Sequence, residues 1–232
     1  MVKSNLSTIL RNEKYIVVIL GGDVPCGSDI GDIINNSAYC VCADSGTVVA
    51  DKFGRLPDYL VGDMDSIPAE LLQKCQNSGV PQKRFMPEKD YTDGEIAVHY
   101  AIEYAKKNSM NMICMVGALG NRFDHSLANI NIGTQVLDNG LKIIYCTDTA
   151  FMFLLKGNSW HKVELINGRT ISLLPLFGDV HGVTLQGFKY PLTNAALLAN
   201  ESLGISNELT TDEGQITLEK GYLLVVQNRF MD

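Results

Sequence analysis

The chain has 232 residues, 46% of them hydrophobic and 19% charged, a balance that suits a packed globular protein and excludes intrinsic disorder. Its 19 Lys and Arg against 26 Asp and Glu give a net charge of −7. That argues against a nucleic-acid duplex as partner, because duplex binding neutralises phosphates with basic side chains. No apolar run approaches the ~20 residues of a membrane-spanning helix, and the polar N-terminal stretch lacks the apolar core of a signal peptide.

In chain order, continuous apolar and β-branched runs at 15–20, 38–43, 58–61, 111–116 and 141–146 predict strands buried on both faces. Between them, residues 93–107 predict a helix. Ile96, Ala97, Tyr100, Ala101, Tyr104 and Ala105 form a stripe at helical spacing, and His99 falls on the opposite, solvated face. Thr92 and Glu95 have the spacing of a capping box, and Lys106 and Lys107 suit the negative helix end. A further helix is expected over 124–138, stopped by Asn139-Gly140, and another near Pro68. Such alternation predicts a parallel sheet with helices on both faces. Beyond residue 150, frequent glycine turns separate short β-rich pieces at 162–166, 170–174, 215–219 and 222–227, the pattern of an antiparallel sandwich. The expected fold class is therefore α/β, with a Rossmann-like αβα domain over 1–149 and a small C-terminal β-sandwich over 150–232. So small a sandwich is expected to lean on the first domain or on a second subunit.

Six cysteines are present, Cys26, Cys40, Cys42, Cys75, Cys114 and Cys146, with no Cys-x-x-Cys pair, so a zinc site is not expected. Most lie in the apolar runs, which predicts reduced, buried thiols and a cytoplasmic location.

Asp23, Asp44, Asp63 and Asp65 each follow the end of a predicted strand. In a parallel sheet those ends share one rim, where ligands bind. In Gly62-Asp63-Met64-Asp65-Ser66 the two carboxylates, read as extended backbone, project to one side and can share a hard cation such as Mg²⁺. The competing reading is a solvated turn in which Asp65 or Ser66 caps the helix near Pro68. In Lys89-Asp90-Tyr91-Thr92-Asp93-Gly94-Glu95, a well-capped helix start competes with a phosphate site at the helix N-terminus, with Lys89 adding charge and Asp93 serving as metal ligand. Gly117-Ala118-Leu119-Gly120-Asn121-Arg122-Phe123-Asp124-His125 is a glycine-containing loop leading from strand to helix. Its Arg122 can hold phosphate oxygens in a bidentate manner, and it is not a Walker loop, since no Gly-Lys-Ser/Thr follows. Together these segments describe a site for Mg²⁺ and a polyphosphate.

These segments resemble the thiamin pyrophosphokinase family. The likeness runs in order through Ala43-Asp44-Ser45-Gly46, Gly62-Asp63-Met64-Asp65-Ser66, Lys89 to Glu95, the Gly117 loop, Gly182 to Leu192 and Gly204-Ile205-Ser206-Asn207-Glu208. The resemblance implies transfer of pyrophosphate from ATP to the hydroxyl of thiamin, giving thiamin diphosphate and AMP. It implies Mg²⁺ on Asp63, Asp65 and Asp93, with catalysis shared by these and Arg122. It implies nucleotide contacts from Asp44, Lys89, Thr92, Arg122 and Asp124, and thiamin contacts from Asp124, Ser206 and Asn207. It also implies a homodimer with the Ser206 segment supplied by the partner subunit. The family commonly has glycine where this chain has Ser45 and Asn121; asparagine tolerates left-handed backbone, which would preserve the loop. The alternative readings are another Mg²⁺-dependent kinase or nucleotide hydrolase on the same rim, and a binding module without turnover.

Overall fold

The computed structural model describes residues 10, 13–23, 26–84, 91–164 and 170–229. The chain divides into two compact units, Leu10–Asp148 and a second from Thr149 onward.

The first unit alternates β1 (Tyr15–Ile19), α1 (Ser28–Asn35), β2 (Tyr39–Ala43), α2 (Gly46–Lys52), β3 (Tyr59–Gly62), α3 (Ala69–Asn77), β4 (Gln82–Arg84), α4 (Asp93–Lys107), β5 (Met112–Val116), α5 (Phe123–Asp138) and β6 (Lys142–Cys146). Its strands are parallel, in the order β6-β5-β1-β2-β3-β4. Chain progress runs outward from β1 in both directions, β1 to β2 one way and β5 to β6 the other. Right-handed crossovers therefore place α1 and α5 on opposite faces. This explains why β1 and β5 are buried along their whole length and why their sequence shows no alternation. The reversal of direction between β1 and β5 is the switch point at which open α/β sheets bind ligands.

Helix α4 has the predicted bounds, but its buried positions are Ala97, Val98, Ala101, Ile102 and Ala105. Tyr100 and Tyr104 stay half-exposed at the margin, stacked on Tyr59 and Tyr39 with ring centroids 3.7 Å apart. The capping box is half made. Thr92 Oγ1 accepts from the Glu95 N–H at 3.1 Å, while the Glu95 carboxylate accepts from Gln135 Nε2 at 3.2 Å. His99 is not simply solvated, since its Nε2 lies 2.6 Å from Gln135 Oε1.

The second unit holds β7 (Ala150–Lys156), β8 (Ser159–Glu164), β9 (Thr170–Leu174), β10 (Val180–Gln186), β11 (Ala195–Leu197), β12 (Asn207–Glu208), β13 (Glu213–Leu218) and β14 (Tyr222–Asn228). They form antiparallel ladders in the orders β12-β9-β14-β7 and β11-β10-β13-β8. In β13 the inward positions Gly214, Ile216 and Leu218 alternate with outward ones, as a sheet with one wet face requires. Among the described residues no helix is long and apolar enough to cross a membrane. None of the cysteines is in a disulfide, and each is buried except Cys26.

Candidate active site

Three loops at the carboxyl ends of β1, β2 and β5, with the start of α4 and the first turns of α5, enclose a cavity of about 600 Å³. Residues 20–23, 43–45, 91–94 and 117–122 line it, together with Ser66, His125, Ser126 and Asn129. Of the rim carboxylates, Asp23, Asp44 and Asp93 line the cavity, while Asp63 and Asp65 do not; Ser66, next to Asp65 in the chain, does.

The Asp63-Asp65 pairing has a different cause from strand alternation. β3 ends at Gly62, where φ is +135°, and Met64 is left-handed at +69°. The chain therefore turns rather than extending, and Asp63 Oδ1 accepts from the Asp65 N–H at 3.0 Å, an Asx turn. That turn brings the two carboxyls into hydrogen-bond contact, and this contact, with the Asp63 charge, raises the pKa of Asp65. Neither Asp65 nor Ser66 caps the next helix; Pro68 occupies the N-cap of α3 with no side-chain bond.

Asp44 is the most constrained of the acids. Its backbone is left-handed at φ +43°, and its Oδ1 accepts from the Met64 N–H at 3.0 Å. Burial pushes its pKa up to about 6; the Met64 bond opposes this, and the negative charges of Asp93 and Asp63 add to it. Asp44 and Asp93 lie close enough that a protonated Asp44 could donate to its neighbour, which adds to the rise. The carboxylates thus stand as two close pairs, Asp44 with Asp93 and Asp63 with Asp65, and each pair feels the field of the other. Among the described residues no group of three or more acid, Cys or His side chains is arranged to enclose a metal ion. Paired carboxylates are nevertheless the donor set that suits Mg²⁺, which is held by one or two carboxylates and completes its shell with water and phosphate oxygens.

Arg122, also in the cavity lining, is the N-cap residue of α5, exposed, with Nη2 2.9 Å from Asp124 Oδ2. This bond and the His125 N–H hold Asp124 below the usual carboxylate range. His125 Nε2 lies 4.0 Å from the same carboxylate. Asn121 does not have a positive φ, so no left-handed residue is required where the family commonly has glycine. Ser45 fits for a different reason: its Oγ lies 1.9 Å from where a Cβ on Gly21 would stand, so Gly21 leaves the room Ser45 occupies. Lys89 lies outside the described residues.

In the second unit, Ser206 is exposed and left-handed at φ +56°. Asn207 beside it is buried. Its Nδ2 donates to the Tyr190 carbonyl at 2.8 Å, and its Oδ1 accepts from the N–H groups of Tyr190 and Glu208 at 3.1 and 2.8 Å. Ser126 and Asn129 on the cavity wall escape sequence reasoning; the available signal is two polar residues three apart on the buried side of a helix.

A parallel αβ sheet whose switch point gathers paired carboxylates, a helix N-terminus and an arginine loop defines an enzyme of phosphoryl-type transfer. Comparison with known proteins narrows the class. The profile described as thiamin pyrophosphokinase, catalytic domain, matches residues 30–145, and that described as its vitamin B1 binding domain matches residues 161–223. A thiamine pyrophosphokinase of Bacillus subtilis is 28% identical over 215 residues, covering 93% of this chain and 99% of the relative. The crystal structure of thiamine pyrophosphokinase from Bacillus subtilis superposes with a TM-score of 0.80 at 26% identity, covering 94% of this chain and all of the other. That of Geobacillus thermodenitrificans gives 0.78 at 27% identity, covering 94% and 99%. The chain belongs to the thiamin pyrophosphokinase family.

Proposed function

We propose that the rim of the first unit binds Mg·ATP and that the Ser206 segment, supplied by the partner subunit of a homodimer, presents thiamin to it. The activity is that of a thiamin pyrophosphokinase, with ATP as donor and thiamin diphosphate and AMP as products. The observation that carries the site assignment is the cavity at the switch point, where Asp44, Asp93 and Arg122 arrive from three separate loops.

Asp63, Asp65 and Asp93 would hold Mg²⁺, with Asp44 beside Asp93, and the bound ion would supply charge neutralisation on the phosphates. Arg122 grips phosphate oxygens, and Asp124 orients its guanidinium. Thr92 sits where the α4 N-terminus offers backbone N–H groups to an anion, and the family resemblance gives Lys89 to the same nucleotide. The thiamin hydroxyl oxygen attacks the β-phosphorus, the bond from that phosphorus to the α-bridging oxygen breaks, and AMP leaves with the electron pair. A rim carboxylate takes the hydroxyl proton. Ser206 contacts thiamin, and Asn207, whose side chain is engaged with backbone, fixes the segment from behind. The exposed Tyr190, Leu203 and Ile205 support burial of this face against a second copy. Five buried cysteines, none in a disulfide, support a reducing, cytoplasmic setting.

Incubation with ATP, Mg²⁺ and thiamin, with products identified by mass, tests the activity. Thiamin diphosphate and AMP are expected. ADP, or hydrolysis independent of thiamin, would assign the rim to another kinase or a hydrolase, and nucleotide binding without turnover to a binding module. A sedimentation mass of one chain at assay concentration would remove the shared site.

A further inference from the structure

The loop that carries Arg122 is held from two sides. On one side the bonds are backbone: Gly22 N–H donates to the Gly117 carbonyl at 2.9 Å, and Asp23 N–H to the Leu119 carbonyl at 2.8 Å. On the other side they come from two side chains of α5. Asn129 Nδ2 donates to the Ala118 carbonyl at 2.7 Å. Ser126 Oγ accepts from the Gly120 N–H at 3.1 Å and lies 3.1 Å from the Arg122 carbonyl, to which it can donate. Successive peptide groups are thus gripped alternately by the β1 loop and by α5.

Both side chains are buried, at 9% and 8% exposure, and both face the cavity. Asparagine and serine are weak helix formers, and a buried amide is costly unless bonded. An apolar residue would pack this part of α5 more simply, so what the polar pair adds is the grip on the loop. Tyr145, itself buried, donates to the carbonyl of Ile130 at 3.0 Å and lies 3.2 Å from that of Asn129, bracing the helix behind the contact. Asn129 also reaches the metal side, where its Oδ1 lies 3.1 Å from the position of a Cβ built on Gly94, next to Asp93. Arg122 has a largely exposed side chain, 68% accessible, so the placement of its backbone decides where its guanidinium starts.

We infer that Ser126 and Asn129 are positioning residues for the phosphate-binding loop: they act through Arg122. This rests on the Mg·ATP reading of the cavity given above.

The test uses Ser126→Ala and Asn129→Ala in the full-length protein, each alone and combined with Arg122→Ala. Mg·ATP binding is read by calorimetry, and AMP formation with thiamin by steady-state kinetics. Each single change is expected to weaken Mg·ATP binding, and to raise the KM for ATP, about tenfold, the scale of one lost hydrogen bond with its partner left unsatisfied. The KM for thiamin stays within about twofold, and in the Arg122→Ala background the further loss is also under about twofold, because residues of one network are not additive. Ser126→Thr, which keeps the hydroxyl, restores ATP affinity. Losses that multiply with Arg122→Ala, an equal rise in the thiamin constant, or a folded Ser126→Thr that fails to recover would overturn the assignment. If Asn129→Ala does not fold, the two Ser126 variants decide. Wild-type protein that binds Mg·ATP yet forms no AMP with thiamin sinks the proposed activity while the positioning role stands on the binding data. Protein that binds no Mg·ATP sinks both.

Discussion

Gly62→Ala is a single methyl group aimed at the acidic rim. A Cβ at Gly62 would lie 1.8 Å from Asp44 Oδ1 and 2.3 Å from its Cγ. To reach ordinary contact the carboxylate must retreat by roughly 1.6 Å. That retreat breaks the 3.0 Å bond from the Met64 N–H and separates Asp44 from Asp93. Gly62 also sits at φ +135°, where an alanine is strained. Strain of ~1–3 kcal/mol and one lost hydrogen bond of ~1 kcal/mol sum to a destabilisation of ~2–4 kcal/mol. Displacement of Asp44 should cost turnover in addition, by about a hundredfold, as for loss of one electrostatic group. Gly54→Ala is the control: its φ is +76°, and a Cβ there meets nothing within 4 Å, so it carries the strain without the collision. Urea unfolding and AMP formation are measured on both variants. If Gly62→Ala keeps wild-type turnover, or loses no more than Gly54→Ala, then Asp44 is not held at the rim by the space Gly62 leaves.

Other expectations follow from single contacts. Asp63→Asn should lower turnover by at least about two orders of magnitude with little change in melting temperature, since it removes a proposed metal ligand while the amide oxygen can still accept from the Asp65 N–H; near-normal turnover would refute the ligand role. Thr92→Ala removes the acceptor of the Glu95 N–H and should cost ~1 kcal/mol, a melting shift of about 2–4 °C by calorimetry; an unchanged melt would show that the cap contributes nothing. Ser206→Ala should raise the KM for thiamin and leave that for ATP, and movement of the ATP constant alone would contradict its assignment. The metal-free protein should lose stability as pH rises from about 4 to 6. Asp44 is an acid whose folded pKa lies above its unfolded value, so the folded state binds the extra proton in that window. After discounting for its half-exposed position the effect is ~1–2 kcal/mol, and Asp44→Asn should remove that slope from a pH series of urea midpoints.

What the sequence reveals depends on how locally each feature is encoded. The central strands are legible because burial on both faces leaves an unbroken apolar run, as in Tyr15–Ile19 and Met112–Val116. Helix α4 is legible from its length and its cap. Helix α2 is not: seven residues with Thr47, Val48 and Val49 carry no helical period, and the helix exists because it packs on β1 and β2. β4 is three polar residues, held as a strand only by its register with β3. In the site, the acids are legible as strand-end residues and Asp63 with Asp65 as a pair, but the cause of that pairing, a left-handed Met64 and an Asx turn, is not, nor is the approach of Asp93 to Asp44. Ser126 and Asn129 are hidden for a related reason: their partners are backbone groups, which leave no mark in the sequence of the loop they hold.

The left-handed backbone at Asp44 and Met64 and the unusual Gly62 cluster on the two segments that carry the paired carboxylates. Each non-glycine residue in that region costs on the order of 1 kcal/mol or more, and the like charges add repulsion that burial of Asp44 makes worse. None of this strengthens the fold. An apolar turn at the same place would relieve the repulsion, and an extended one the strain. The repulsion falls when a divalent cation sits between the acids, since it favours their ionised forms, and that gain offsets the strain, which remains. The same cation has no grip on an unfolded chain in which Asp44, Asp63 and Asp93 are far apart. By linkage, if the rim takes Mg²⁺ with nucleotide at free concentration L, the folded protein gains RT ln(1 + L/Kd), a stabilisation that grows with the logarithm of ligand concentration once the site is filled, so the rim is a surface whose own energetics are completed by the ligand it is proposed to hold.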